Sequence, residues 1–216
     1  MTKINIQEPT TMITDYILFL LGIVLSVPLI IRGIEKNIPA DIFWAIGLIA
    51  IAISALLGGT AHGFRKMLSE KKHHLIWVLT LIVIGIASAA IVIGITDLRI
   101  KNQTTQRIII IVTLLLLIIY IFQVVRKPLF IIAILGYAPA MIYVLVIEVI
   151  TLITTNTQNA RISASWNIAA VIISFIGAGI QASKKIVIHK HFNHNDLYHV
   201  IQMIGIMFFY LAGINF

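Results

Sequence analysis

With 216 residues, 60% of them hydrophobic and only 11% charged, the chain has too little polar surface to coat a globule in water, where about a quarter of residues are charged. The net charge of +8 does not point to nucleic acid, because the basic residues sit in short loops between apolar runs, the pattern that orients membrane proteins. There is no cysteine, which excludes a disulfide framework and a thiolate metal site.

The apolar runs have the length a helix needs to cross a hydrocarbon core of about 30 Å. A barrel strand would alternate apolar and polar residues, and Ile108 to Tyr120 shows no alternation. The sequence therefore predicts an all-α fold, a bundle of seven transmembrane helices. In chain order the spans are Asp15–Ile31, Ile42–Phe64, Leu75–Thr96, Ile108–Val125, Leu129–Thr151, Ala164–Ala182 and Leu197–Ile214. The connections are short, so residues 1–216 form a single domain that opens on a short N-terminal segment, 1–13. The first run has no Ala-x-Ala-like site and a second span follows at once, so a cleaved signal peptide is not expected.

Charge orients the bundle. Lys3, Arg65, Lys66, Lys71, Lys72, Arg126, Lys127, Lys184, Lys185 and Lys190 fall on the N-terminal side, against Arg32, Lys36, Arg99, Lys101, Arg107 and Arg161 on the other. The excess of ten over six places the N-terminus in the cytoplasm and the C-terminus outside. An isoleucine-rich chain of this kind suits a bacterial inner membrane. Trp44 and Trp166 are expected at the outer interface and Trp77 at the inner one. Pro28 and Pro139 are expected to kink their helices. Gly58, Gly59, Gly63, Gly177 and Gly179 should admit close helix neighbours.

All seven histidines fall on the inner side: His62, His73, His74, His189, His191, His194 and His199. Those among lysines read as solvated. His62, near the inner end of span two, and His199, at the start of span seven, lie within or beside apolar runs. Asp15 opens span one at that depth and Gln181 closes span six. Ionisable groups at such depth are paired or functional. Asp196, His199 and Gln202 stand three residues apart, along one side of a helix. Imidazole and carboxylate are ordinary zinc ligands, so Asp196 and His199 with His62 can make a three-ligand site with an open position. Asp15 would orient a ligand or serve as general base. The plainer readings are histidines that tie helices together, Asp15 and Asp196 as helix caps, and Glu148 as an interfacial residue near the outer end of span five.

Seven spans, a histidine ending span two and Leu197-Tyr198-His199 opening span seven resemble the superfamily of alkaline ceramidases and adiponectin/progestin receptors. The resemblance implies zinc held by three histidines at the cytoplasmic end, beside an aspartate and a serine, and members of that superfamily include hydrolases of the ceramide amide. His62 matches the span-two histidine and His199 the second histidine of a His-x-x-x-His pair. Asn195 replaces the first of that pair, which leaves His194, one residue earlier, as the third ligand. Gly58 stands where the serine belongs, and Thr60 lies elsewhere on the helix. Span three has no aspartate near its inner end, so Asp15 or Asp196 would take the catalytic part.

The expectation is thus a zinc-dependent hydrolase of a lipid amide or ester, with membrane lipid as its partner. The alternative is a non-enzymatic receptor, sensor or small transporter whose histidines bind or pack. Two features weigh against transport: the chain has no internal repeat, and spans three and four offer no polar path.

Overall fold

Proline sets the first two helix starts. Pro9 and Pro39 stand in the first turns of α1 (Pro9–Glu35) and α2 (Pro39–Gly63), where the missing N–H costs nothing and the fixed φ is already helical. Side-chain oxygens cap three others: Ser69 before α3 (Glu70–Arg99), Asn102 before α4 (Gln103–Arg126) and Asn193 before α7 (His194–Gly213). The remaining two, α5 (Phe130–Thr154) and α6 (Gln158–Ser183), start without a side-chain cap. Lys184 ends α6 in the left-handed region at φ 53°. A short antiparallel hairpin then leads into α7, formed by β1 (Val187–His189) and β2 (Phe192–Asn193). The computed structural model describes residues 5–189 and 192–216. Lys3, Lys190 and His191, assigned to the inner side by the sequence, lie outside the described residues.

Each of the seven described helices is long and apolar enough to cross a membrane, and the chain is a multi-pass membrane protein. α1 packs on α2, α2 on α3, α3 on α5, α5 on α6, α6 on α7, and α7 back on α1. Six helices therefore close a ring. α4 stands outside it, seated on α3 and barely touching α5. Only Tyr120 and Val124 of α4 are buried. The Tyr120 hydroxyl donates to the Leu81 carbonyl at 2.6 Å, and its ring lies against Gly85 of α3 and Gly136 of α5, where a methyl group would collide with it. These two glycines let α4 dock.

Two polar clamps hold the C-terminal face, the end of the bundle where α1, α3, α5 and α7 finish. Arg32 of α1 makes a two-pronged contact with Asp41 of α2, at 2.5 and 2.6 Å, and also donates to the carbonyls of Gly213 and Ile214. Arg99 of α3 reaches Glu148 of α5 at 3.2 and 3.3 Å and Ser163 of α6 at 2.8 Å. Asn167 of α6 donates to the same Glu148 carboxylate at 2.5 Å. Glu148 is 0% exposed, so the interfacial position expected for it is wrong: the carboxylate is buried because two partners, Arg99 and Asn167, compensate its desolvation.

Other expectations need correction. Helices run beyond their apolar runs, so α1 begins at Pro9 and Asp15 neither opens nor caps it. Trp44 is 1% exposed and donates to the Phe209 carbonyl at 2.8 Å, which makes it a core residue. Gly59 and Gly63 do admit α1, with Asp15, Tyr16 and Met12 packed against them, and Gly177 admits α7, but a Cβ at Gly179 would meet nothing within 4 Å among the described residues.

Candidate functional site

Inside the ring, toward the N-terminal face, lies a cavity of about 130 Å³ lined from all six ring helices. Its upper wall is apolar, with Leu18, Ile51, Ile84, Ile91, Met141 and Phe209. Its lower wall carries Asp15 of α1, His62 of α2, Thr80 of α3, Gln181 of α6 and Tyr198, His199 and Gln202 of α7, with Tyr137 of α5 nearby. The four groups that depth alone placed at one level (Asp15, His62, Gln181 and His199) therefore share one cavity.

His199 is held on both ring nitrogens by α1. Nδ1 lies 3.0 Å from the Thr14 hydroxyl, and Nε2 lies 3.2 Å from Asp15 Oδ1. The Thr14 hydroxyl also lies 3.1 and 3.0 Å from the carbonyls of Thr10 and Thr11. If its proton goes to either carbonyl, its oxygen accepts from Nδ1–H and the Nε2 lone pair faces Asp15. Asp15 is buried, and its Oδ2 has no hydrogen-bond partner among the described residues. Both carboxylate oxygens lie close to Gly58, at distances of 3.5 and 3.8 Å from where a Cβ on that residue would sit. The glycine that replaces the expected serine thus faces the same carboxylate.

His62 is anchored differently. Its Nδ1 lies 3.0 Å from Glu8 Oε2, and both side chains are partly exposed. This contact with His62 holds the Glu8 carboxyl below the usual carboxylate range, against the opposing effect of burial, so Glu8 is ionised at neutral pH. The His62 ring also stands edge-on to Trp77, centroids 6.1 Å apart.

Asp196 and His194 lie elsewhere. Asp196 belongs to a capping box in which Oδ2 accepts from the Asn193 N–H at 2.6 Å, while Oδ1 accepts from the Thr11 hydroxyl at 2.7 Å. Both oxygens are engaged, and the residue is not part of the cavity wall. His194 is the first residue of α7 and is likewise absent from that wall. The expected outcome for Asp196→Ala is a loss of about 1 kcal/mol of stability through the cap, measured by thermal unfolding in detergent. An unchanged midpoint would contradict the capping assignment.

Sequence reasoning missed Tyr137, Thr14 and Glu8. Glu8 is distant in sequence from His62, and Tyr137 from the other polar residues of the cavity wall, and no spacing links them. Thr14 adjoins Asp15, but its value depends on α7 crossing α1 at that point. Among the described residues, no three His, Asp or Glu side chains are gathered as a metal ion would draw them. The closest arrangement is the Asp15–His199 pair, with His62 on the same cavity.

Fold and cavity together define a seven-helix membrane protein with one buried polar site capped by an apolar chamber. The model of a family of unknown function, DUF6962, matches residues 10–216, and the chain belongs to that family. No curated protein and no solved structure matches it.

Proposed function

We propose that this protein is a membrane-embedded, zinc-dependent hydrolase of a lipid amide or ester, with its site on the cytoplasmic side of a bacterial inner membrane. One observation carries the reading: the Nδ1 of each cavity histidine stands 3.0 Å from an oxygen of residues 8–14, the Thr14 hydroxyl for His199 and the Glu8 carboxylate for His62. Metal-binding histidines are anchored this way, with one nitrogen oriented by a carboxylate or other oxygen so that the other is free for the ion.

The donors fit zinc in kind and, for one pair, in spacing. Zinc bonds of about 2.0–2.1 Å at a tetrahedral angle set two ligands about 3.3 Å apart, and His199 Nε2 and Asp15 Oδ1 stand 3.2 Å apart. His199, Asp15 and His62 would hold the ion, while Thr14 and Glu8 orient the two rings. A bound zinc supplies Lewis-acid polarisation of a carbonyl and acidifies water. Asp15 Oδ2, buried and without a partner among the described residues, is placed to take a proton from water and return it to the leaving amine or alcohol. The carbonyl–nitrogen or carbonyl–oxygen bond breaks, water adds, and a fatty acid leaves with an amine or alcohol. The apolar wall from Leu18 to Phe209 takes the acyl chain and excludes bulk water from the polar end.

Elemental mass spectrometry on detergent-purified protein, prepared free of chelator, tests this directly. About one zinc per chain is expected for a single such site, and it should be lost in both His62→Ala and His199→Ala. Wild-type protein without metal would overturn the hydrolase and leave a non-enzymatic receptor or sensor whose histidines bind or pack.

A further inference from the structure

A second hollow lies outside the ring. α4 meets α3 and α5 through the Tyr120 anchor and its neighbours, with Gln106 donating to the Asp97 carbonyl at the far end of α3, and a groove of about 480 Å³ is left along their junction. On α4 the groove runs from Ile108 to Gln123, a rise of about 22 Å at 1.5 Å per residue. It therefore crosses most of a ~30 Å hydrocarbon core. Its wall is mainly apolar, with Ser88, Thr113, Gln123 and Tyr143 as its polar members beside Tyr120, and the outward faces of α4 and α5 beside it are exposed, including Leu115, Ile119 and Leu135. At that depth no water is available to fill a long apolar slot, and the molecules that are present are lipid chains.

The groove and the ring cavity are separated only by the seam between α3 and α5. Ser88 of α3 lines both hollows. On α5, Tyr137 and Met141 face the ring cavity while Gly136, Pro139 and Ala140 face the groove. Pro139 lies inside α5 and has no N–H, so the carbonyl of Leu135, four residues back and also on the groove wall, loses its helical partner. The partition is thus thin at Ser88 and weakened at Pro139.

We propose that this groove is a lateral port, occupied by one acyl chain of a bilayer lipid, from which the chain passes the α3–α5 seam at Ser88 into the ring cavity. The passage rests on the cavity being a lipid site; occupancy of the groove does not. A lipid reaching the site this way never leaves the hydrocarbon, and its polar group need travel only along the N-terminal face.

The test is photolabelling in nanodiscs of phosphatidylcholine carrying a diazirine in mid-chain, with adducts mapped by mass spectrometry. In the wild type, adducts should concentrate on Val92, Val112 and Leu116 in the groove and on Met141 in the cavity, above the level on Ile17 and Val24 of the exposed α1 face. Ala140→Phe fills the groove, so labelling at both hollows should fall about tenfold while α1 labelling is unchanged, because a packed site leaves no room for a chain. Groove labelling no higher than that of α1 would overturn the port, and this comparison needs no variant. Groove labelling without any on Met141 would overturn the passage at Ser88. His199→Ala should label as the wild type does, so loss of the metal reading would leave this result untouched.

Discussion

Glu148→Ala should be the most destabilising single substitution on the C-terminal face of the bundle. It removes a fully buried carboxylate and leaves the Arg99 guanidinium, whose side chain is 11% exposed, with Ser163 as its one remaining side-chain partner among the described residues. Breaking one side of a buried ion pair costs about 3–5 kcal/mol, because the surviving charge stays desolvated without compensation. For a chain of this size that corresponds to a fall in Tm on the order of 10 °C. Glu148→Gln keeps the shape and an acceptor for Asn167 Nδ2, so it should cost less. Arg99→Met combined with Glu148→Leu should recover most of the loss, since a buried pair replaced by apolar groups of similar volume is often neutral. Thermal unfolding followed by tryptophan fluorescence in detergent measures all three. An alanine variant as stable as the wild type would mean that the clamp contributes nothing. The clamp also joins α3, α5 and α6, and so bears on the seam where the ring closes without its sequence neighbour α4.

The spans and their number were legible because hydrocarbon thickness imposes a length that apolar runs report directly. Their ends were not, because a helix continues through the interface where hydropathy no longer marks it; α1 begins at Pro9, well before the run that starts near Asp15. That error hid the site's best-supported contact, since a span that starts near Asp15 leaves Thr14 outside the helix, whereas it lies inside α1 and faces His199. Depth bookkeeping succeeded in bringing Asp15, His62, Gln181 and His199 to one level. It says nothing of rotation about a helix axis, which is why Glu148 and Trp44 were placed at the interface and are in fact buried. One signal was available for α4. Its central stretch has the highest mean hydropathy of the seven described helices and is apolar on every side, as suits a helix that meets lipid over most of its surface.

On the proposed zinc site, Thr14→Val is expected to weaken zinc binding by about 10–100-fold while leaving the bundle folded, the range found when the oxygen that orients a metal-binding histidine is lost. Valine matches threonine in shape but cannot accept a hydrogen bond. His199 Nδ1, now 3.0 Å from the Thr14 hydroxyl, would lose its partner, and the ring could turn its Nε2 away from Asp15. Thr14→Ser restores an acceptor on the same backbone and should return most of the affinity. Asp196→Ala makes the contrast: it breaks the cap and the Thr11 contact without touching either histidine, so it should lower the unfolding temperature and leave metal affinity in place. Competition titration with a chelating dye gives the affinities, and unfolding of the same samples separates orientation from stability. A valine variant that binds zinc as tightly as the wild type would make Thr14 a packing residue. An Asp196→Ala variant that loses zinc would return Asp196 to the ligand set and move the metal toward the start of α7.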